Sequence, residues 1–181
     1  SAQDFDYIDV VAELNQILEK HGVDHEEIIV EVTEQDLAKG SDDFKMQLDR
    51  IRDNGYKLWI DDFGSGYSSL SVFSQFNIDR IKFDMDLLRH WNDNNGANRL
   101  IMKAFVGLCR EMRISTLSEG VETQEQYEFL QEIGCDLAQG YYFCKPEPIE
   151  ATLLRFSSKN MEEACESLEV RRENNKKWFE E

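Results

Sequence analysis

Apolar positions along the chain alternate between helical spacing and short β-branched runs. Helical spacing first occurs at Tyr7, Val10, Val11, Leu14, Ile17 and Leu18. This pattern stops at Gly22, and the next segment, EIIVEVTE, is a short run typical of a strand. The two patterns together predict one helix followed by one strand.

The same order recurs along the rest of the chain. Helical patterns at residues 44–51, 68–76, 100–108 and 125–133 precede the segments KLWID, RIKFD, ISTLSEG and DLAQGYYF. Five predicted strands that alternate with helices indicate a parallel sheet, either doubly wound or closed as a (β/α) barrel. No G-x-G-x-x-G motif opens any of the helices, which disfavours a dinucleotide-binding fold.

Polar residues recur where the predicted strands end. They are Glu31 and Glu34, Asp61 and Asp62, Lys82 and Asp84, Glu119 and Glu122, and Gln139. In a parallel barrel the carboxyl ends of all strands share one face, where active sites lie, so we expect these side chains to form one pocket. The aromatic residues Trp59, Tyr141, Tyr142 and Phe143 are interpreted as barrel core rather than as a platform on which bases stack.

The adjacent pair Asp61-Asp62 needs a nearby cation, because two neighbouring carboxylates repel each other. Carboxylate oxygens with few histidines or cysteines beside them suit hard cations such as Mg²⁺ or Mn²⁺. One ion, or two ions about 3.5–4 Å apart, would relieve the repulsion and would act on a phosphodiester. For Glu34 and Glu122 taken alone, a solvated surface charge is an equally good interpretation.

The amino-acid composition of the chain restricts the classes of partner that it could bind. The 181 residues include 37 Asp and Glu against 20 Lys and Arg, a net charge of -17. This charge argues against binding to polymeric nucleic acid or to an anionic membrane. No apolar run approaches the roughly 20 residues of a membrane span, and the first residues do not resemble a signal peptide, so we expect a soluble, cytoplasmic segment.

The segments IIVEVTE, IDDFGSGYSSL, RIKFD, SEGVET and GCDLAQGYYFCKPEP, in this order, resemble the EAL-domain family of cyclic-di-GMP phosphodiesterases. The resemblance extends over about residues 1–149. It implies a TIM-type (β/α) barrel that hydrolyses cyclic di-GMP to pGpG with two Mg²⁺ or Mn²⁺ ions in bacterial signalling.

The resemblance also assigns the metal ligands residue by residue. Glu31 matches a metal-binding glutamate, and Asp61 and Asp62 match the pair that holds both ions. Glu119 matches a carboxylate at the second ion and its water.

The remaining assignments concern catalysis and support of the site. Lys82 matches the lysine that orients the hydrolytic water, and Asp84, Glu122 and Gln139 match polar positions around the metals and the lysine. Glu34 matches the glutamate that anchors the loop after Asp-Asp-Phe-Gly.

The first half of the family's site has no counterpart in these residues. The Glu-Ala-Leu tripeptide is absent, and the family's metal-binding asparagine would lie just before Ser1. We therefore expect residues 1–156 to form an incomplete barrel with about five of eight strands, followed by a charged helix at residues 157–181. Exposed strand edges would favour a homodimer.

Three kinds of function stay open at this point. A phosphodiesterase needs the missing glutamate and asparagine, so we expect these residues alone to be inactive or nearly so. A noncatalytic cyclic-di-GMP-binding or protein-interaction module, or a scaffold without ligand, is the alternative. Outside the family, a metal-dependent lyase or aldolase would use Lys82 on a carbonyl, a function that the family motifs disfavour.

Overall fold

The chain forms one parallel sheet whose strand order follows the sequence. A computed structural model describes residues 5, 7–65, 71–91, 93 and 96–156. The strands, in sheet order, are β1 (Ile29–Thr33), β2 (Lys57–Phe63), β3 (Arg80–Phe83), β4 (Ser115–Ser118) and β5 (Leu137–Ala138). Sequential parallel order is the order of a (β/α) barrel, so the prediction of about five parallel strands is confirmed.

Helices precede, connect and follow the strands along the chain. They are α1 (Val10–His21), α2 (Glu34–Lys39), α3 (Asp42–Asp53), α4 (Ser71–Gln75), α5 (Met85–Arg89), α6 (Ala97–Glu111), α7 (Gln124–Ile133) and α8 (Ile149–Phe156). A 3₁₀ turn at His25–Glu27 precedes β1. Short polar side chains accept hydrogen bonds at several helix starts, for example Asp9 at α1 and Ser41 at α3.

The two faces of the sheet differ in polarity. Leu58, Ile60, Ile81 and Phe83 are fully buried on the side that faces the helices. On β2 and β3 the opposite face, which lies inside a closed barrel, bears half-buried and polar residues, and on β4 the buried Leu117 lies beside Lys82 on that face. On that face Arg80 lies over the ring of Trp59, 4.1 Å from its centroid. The apolar core of the described residues therefore lies between the sheet and the helices.

Several predicted boundaries differ from the observed ones. The fifth strand is only two residues long, and Tyr141, Tyr142 and Phe143 are 61%, 41% and 47% exposed. Interpreting these aromatic residues as barrel core was wrong, because the chain leaves the sheet before it reaches them. The short helices α2 and α5 had no recognised signal, since neither is long enough to show helical periodicity.

The chain divides into two compact units, residues 1–143 with the sheet and residues 144–181 with α8. The helix predicted at residues 157–181, and the first part of the helix predicted from Ser68, lie outside the described residues. In the part of the chain that is described, no helix is both long and apolar enough to cross a membrane.

Two aspartates tie neighbouring strands together at the amino end of the sheet. Asp79, just before β3, accepts a hydrogen bond from the backbone N–H of Leu58 on β2 (2.8 Å). Asp136, just before β5, accepts from both the backbone N–H and the hydroxyl of Thr116 on β4 (2.8 Å each). Each aspartate thus fixes the register of its own strand against the preceding one.

Replacing Asp136 should therefore destabilise the sheet. Asp136→Ala leaves the buried Thr116 without its acceptor, and we expect a loss of about 1–3 kcal/mol in the free energy of unfolding. Urea denaturation measures this loss, and Asp49→Ala, at an exposed position on α3, is the control with an expected change within about 0.5 kcal/mol. Equal effects of the two substitutions would contradict this role of Asp136.

Candidate functional site

A lysine surrounded by carboxylates lies at the carboxyl ends of the strands. The ammonium Nζ of Lys82 is 2.9 Å from Asp61 Oδ1, 3.0 Å from Glu119 Oε1 and 3.3 Å from Glu31 Oε2. The Lys82 side chain is only 12% exposed. Three carboxylates, each at least 21 positions from Lys82 in the sequence, therefore meet at its amine.

The parallel sheet explains this convergence. Glu31 lies on β1, Asp61 on β2 and Lys82 on β3, and Glu119 directly follows β4. Parallel strands present their carboxyl ends at the same edge, so one residue from each of four adjacent strands reaches the same point. The backbone N–H of Glu119 also donates to the carbonyl of Phe83 (3.1 Å), which holds Glu119 beside β3.

The surroundings of Lys82 favour its charged form. Burial by itself lowers the pKa of the amine, but hydrogen bonds to Asp61 and Glu119 and the charges of both carboxylates outweigh it, so the net shift is upward. Lys82 is therefore an ammonium at physiological pH. An amine that attacks a carbonyl must be unprotonated, so this site disfavours the aldolase or lyase role.

Asp62 lies beside this cluster in an unusual backbone conformation. Its φ angle is 55°, in the left-handed region that residues other than glycine rarely adopt. Its backbone N–H donates to Oδ1 of Asp61 (3.0 Å). Asp62 is exposed on one side, yet partial desolvation and the charges of Asp61, Asp84 and Glu119 raise the pKa of its carboxyl, and Lys82 only partly offsets them.

The loop after Asp62 is fixed by a buried glutamate. Glu34, the first residue of α2, is 1% exposed, and its Oε2 accepts a hydrogen bond from the backbone N–H of Gly64 (3.1 Å). Gly64 has φ 95°, which glycine tolerates. A surface-charge interpretation of Glu34 is therefore wrong for the folded chain, because this carboxylate is buried and hydrogen-bonded.

The other predicted polar residues do not contact Lys82. Asp84 caps α5 by accepting from the backbone N–H of Asp86 (2.7 Å). Glu122 is 3.5 Å from Arg89 on α5. Within the described residues, no hydrogen bond is formed by the side chain of Gln139, whose backbone bridges Ser118 and Val121.

The donor chemistry of the cluster fits a divalent metal ion. Glu31, Asp61, Asp62 and Glu119 supply only carboxylate oxygens, the ligands that Mg²⁺ and Mn²⁺ prefer. Among the residues that the structure describes, however, no three such side chains come together as a ready-made metal site. Lys82 lies between three of these carboxylates, so metal binding would require them to turn from the amine toward the ion.

Two supporting residues were not recognised from the sequence. Gly120, with φ 73°, passes so close to Met85 that an added Cβ would lie 2.5 Å from the Met85 Cβ. Gln126 forms a capping box with Thr123 at the start of α7. The spacing Thr-x-x-Gln before a helical pattern is a recognisable signal for this cap.

The EAL domain model matches residues 1–146 of the chain. The cyclic di-GMP phosphodiesterase NbdA of Pseudomonas aeruginosa is 36% identical over 146 residues, which are 78% of this chain and 18% of that protein. The bifunctional diguanylate cyclase/cyclic di-GMP phosphodiesterase MucR of the same species is 32% identical and matches 84% of this chain and 22% of that protein. The chain thus spans less than a quarter of the length of either relative.

Solved structures show the same fold. The PaMucR phosphodiesterase in complex with c-di-GMP superposes with a TM-score of 0.77 at 31% identity, over 84% of this chain and 62% of that chain. Klebsiella pneumoniae BlrP1, with manganese and cyclic di-GMP at pH 9.0, gives 0.73 at 36% identity, over 80% and 37% of the respective chains. The prediction of an incomplete TIM-type barrel is confirmed, since these EAL structures are TIM-type barrels and the five strands described here form an open sheet.

The raised pKa of Asp62 predicts that this carboxylate destabilises the metal-free fold. A carboxyl whose pKa is higher in the folded than in the unfolded state favours folding when protonated, and this stability is lost as pH rises through the folded pKa. Asp62→Asn removes the charge, and asparagine tolerates a positive φ. We therefore expect the variant to melt at a higher temperature than the wild type at pH 7 without metal.

The same substitution should lose its advantage in acid. Well below the unfolded pKa of about 3.9 the wild-type carboxyl is protonated in both states, so the two melting temperatures should converge as the pH falls toward about 3. Calorimetry between about pH 3 and 7.5, with Asp49→Asn as the exposed control, measures the difference. A variant that is less stable than the wild type at pH 7 would contradict this account of Asp62.

Proposed function

The chain belongs to the EAL domain family, and from this membership we propose that its residues form part of the catalytic barrel of a cyclic-di-GMP-specific phosphodiesterase. The named relatives and the complexes with cyclic di-GMP support this proposal. The principal structural support is the contact of Lys82 with Glu31, Asp61 and Glu119 at the carboxyl ends of the strands.

Divalent ions would bind to the carboxylates of this cluster. Glu31, Asp61, Asp62 and Glu119 would hold Mg²⁺ or Mn²⁺, and the ions would supply positive charge to a phosphodiester and lower the pKa of a bound water. The manganese in the BlrP1 complex supports a divalent ion without deciding between magnesium and manganese. Such an ion would also offset the repulsion from neighbouring carboxylates that raises the pKa of Asp62.

The residues of the cluster suit an in-line hydrolysis. The attacking water forms a bond to phosphorus and gives up a proton, while the bond from phosphorus to the ribose oxygen breaks and that oxygen takes up a proton to leave as a hydroxyl group, which gives linear pGpG. Lys82, which remains an ammonium, donates a hydrogen bond that orients the water or stabilises the phosphate charge. Glu119 accepts a hydrogen bond from the same water, because its carboxylate lies beside the lysine.

The alternative is a noncatalytic module that binds cyclic di-GMP or a protein. The open sheet favours the noncatalytic module for residues 1–181 alone, because they do not include the metal ligands that further strands would supply. The half-buried inner face of the sheet further suggests that a second copy covers it in a homodimer. We propose a cytoplasmic location, because the proposed ligand is a signalling nucleotide of the bacterial interior.

Metal binding should stabilise the folded chain. Mn²⁺ or Mg²⁺ at about 100 times the dissociation constant should add about 2.7 kcal/mol of stability, which corresponds to a rise of several degrees in melting temperature. Asp61→Asn should abolish most of the rise, whereas Asp49→Asn should leave it intact. An unchanged melting curve of the wild type in millimolar Mn²⁺ would contradict the proposed metal site.

Catalysis should require strands beyond residues 1–181. We expect negligible turnover of cyclic di-GMP by these residues alone, because a lost metal ligand also loosens the carboxylates that remain. Joining a segment with a Glu-Ala-Leu strand and an asparagine strand should produce Mg²⁺- or Mn²⁺-dependent formation of pGpG. Product chromatography of both proteins measures this, with Lys82→Ala and Asp61→Asn as inactive controls.

The outcomes of the catalytic experiment discriminate between the candidate functions. Activity of the short chain that survives Asp61→Asn would contradict the metal assignment. An inactive extended chain that still binds cyclic di-GMP would favour the noncatalytic module instead.

Self-association should be detectable for the isolated residues. Multi-angle light scattering over a wide range of protein concentration should show a dimer that dissociates on dilution, because the exposed edge of β1 and the inner face of the sheet would pair with a second copy. A folded monomer at the highest concentration would rule out the proposed homodimer.

A further inference from the structure

A buried glutamine connects the two segments that carry Lys82 and Glu119. Gln126, on α7, is 7% exposed. Its Oε1 accepts hydrogen bonds from the backbone N–H groups of Glu122 (2.8 Å) and Thr123 (3.1 Å). Its Nε2 donates to the backbone carbonyl of Leu88 on α5 (3.5 Å). The two ends of one amide group thus bind two different parts of the chain.

In the sequence, these two parts of the chain come directly after β3 and β4, the strands that position Lys82 and Glu119. Helix α5 begins three residues after Lys82, and residues 119–123 connect β4 to α7 and begin with Glu119. Because Lys82 and Glu119 also contact each other at 3.0 Å, the connections form a closed ring. The ring runs from Lys82 through α5 and Gln126 to Glu119 and back to Lys82.

Two further contacts join α5 to residues 119–123. Gly120 packs on Met85 at the start of α5 so closely that an added Cβ would lie 2.5 Å from the Met85 Cβ. Arg89 at the end of α5 is 3.5 Å from Glu122, in an exposed pair that contributes little by itself. Gln126 forms the buried contact of this interface, and a buried hydrogen bond is costly to lose.

We propose that Gln126 is a positioning residue that holds residues 119–123 against α5 and so fixes the Glu119 carboxylate on Lys82. Its relevance to hydrolysis rests on the proposed function above, because Glu119 and Lys82 would act on the water. Its effect on the geometry of the Lys82 site does not depend on metal, substrate or activity.

A purely structural role is the competing explanation, because Gln126 also belongs to the capping box of α7. Gln126→Glu separates the two roles. A glutamate at this position of a capping box still accepts from the backbone N–H groups, and its charge suits a helix N-terminus. In its ionised form at pH 8 it cannot donate to the Leu88 carbonyl and places a carboxylate oxygen there instead, so the link to α5 is lost while the cap of α7 is kept. Gln126→Met removes both interactions.

The test measures the reactivity of Lys82 in the metal-free protein. Competitive acetylation with limiting reagent at pH 8, followed by peptide mass spectrometry, gives the rate at Lys82 relative to the exposed Lys57 on β2. We expect Gln126→Glu to raise this ratio about 5-fold or more, because loosening Glu119 frees the amine from a buried ion pair. Gln126→Met should raise it at least as much.

Matched variants on α7 exclude a general loss of stability. Gln131→Glu changes an exposed glutamine of the same helix that donates to the Tyr127 hydroxyl, and should leave the ratio unchanged. Phe129→Leu should lower the melting temperature by weakening the buried core without changing the ratio. If Gln126→Glu leaves the Lys82 ratio at the wild-type value, or if Phe129→Leu raises it equally, Gln126 is only a helix cap.

A second readout separates this inference from the proposed function. Electron paramagnetic resonance of Mn²⁺ measures its affinity for each variant. Weaker binding by Gln126→Glu than by Gln131→Glu would extend the positioning role to the metal ligands. If wild-type protein binds no Mn²⁺ while Gln126→Glu still raises the Lys82 ratio, the metal assignment fails and the positioning role stands.

Discussion

The contact of one ammonium group with three carboxylates determines the geometry of this site. Like charges about 4 Å apart repel by about 4 kcal/mol at an effective dielectric constant of 20, so a nearby cation favours the convergence of Glu31, Asp61 and Glu119. Lys82 supplies that charge within 3.3 Å of each of them. One positive charge does not balance three negative ones, and the remaining negative charge leaves a preference for a divalent ion.

The site residues could be predicted because strand ends are visible in a sequence. Short β-branched runs between stretches of helical spacing located the five strands, and the carboxyl ends of parallel strands must meet at one edge. Residues that act through backbone groups were not predictable in the same way. Gln126 binds the Leu88 carbonyl, and no side-chain pattern indicates which distant carbonyl a glutamine will reach.

The short helices and strands could also not be predicted from sequence patterns. Helix α5 has five residues, fewer than two turns, and β5 has two, a single strand period, so neither pattern repeats. The aromatic residues after β5 were assigned to the core for their hydrophobicity, but strand length decided their position. Where an element ends depends on pairing with its neighbour, and Leu137 and Ala138 are the residues of β5 that pair with β4.

The division of the sheet into two unlike faces allows folding and chemistry to be separated. Ile60, Ile81 and Phe83 are buried against the helices and stabilise the fold from that side alone. The inner face bears charged groups, whose mutual repulsion opposes folding. Lys82 offsets part of this repulsion, whereas Asp62, with a φ of 55° and a raised pKa, retains it. The core on the helix side thus supplies the stability that allows a strained, acidic site to exist. A cation bound at the site would offset the repulsion between its carboxylates.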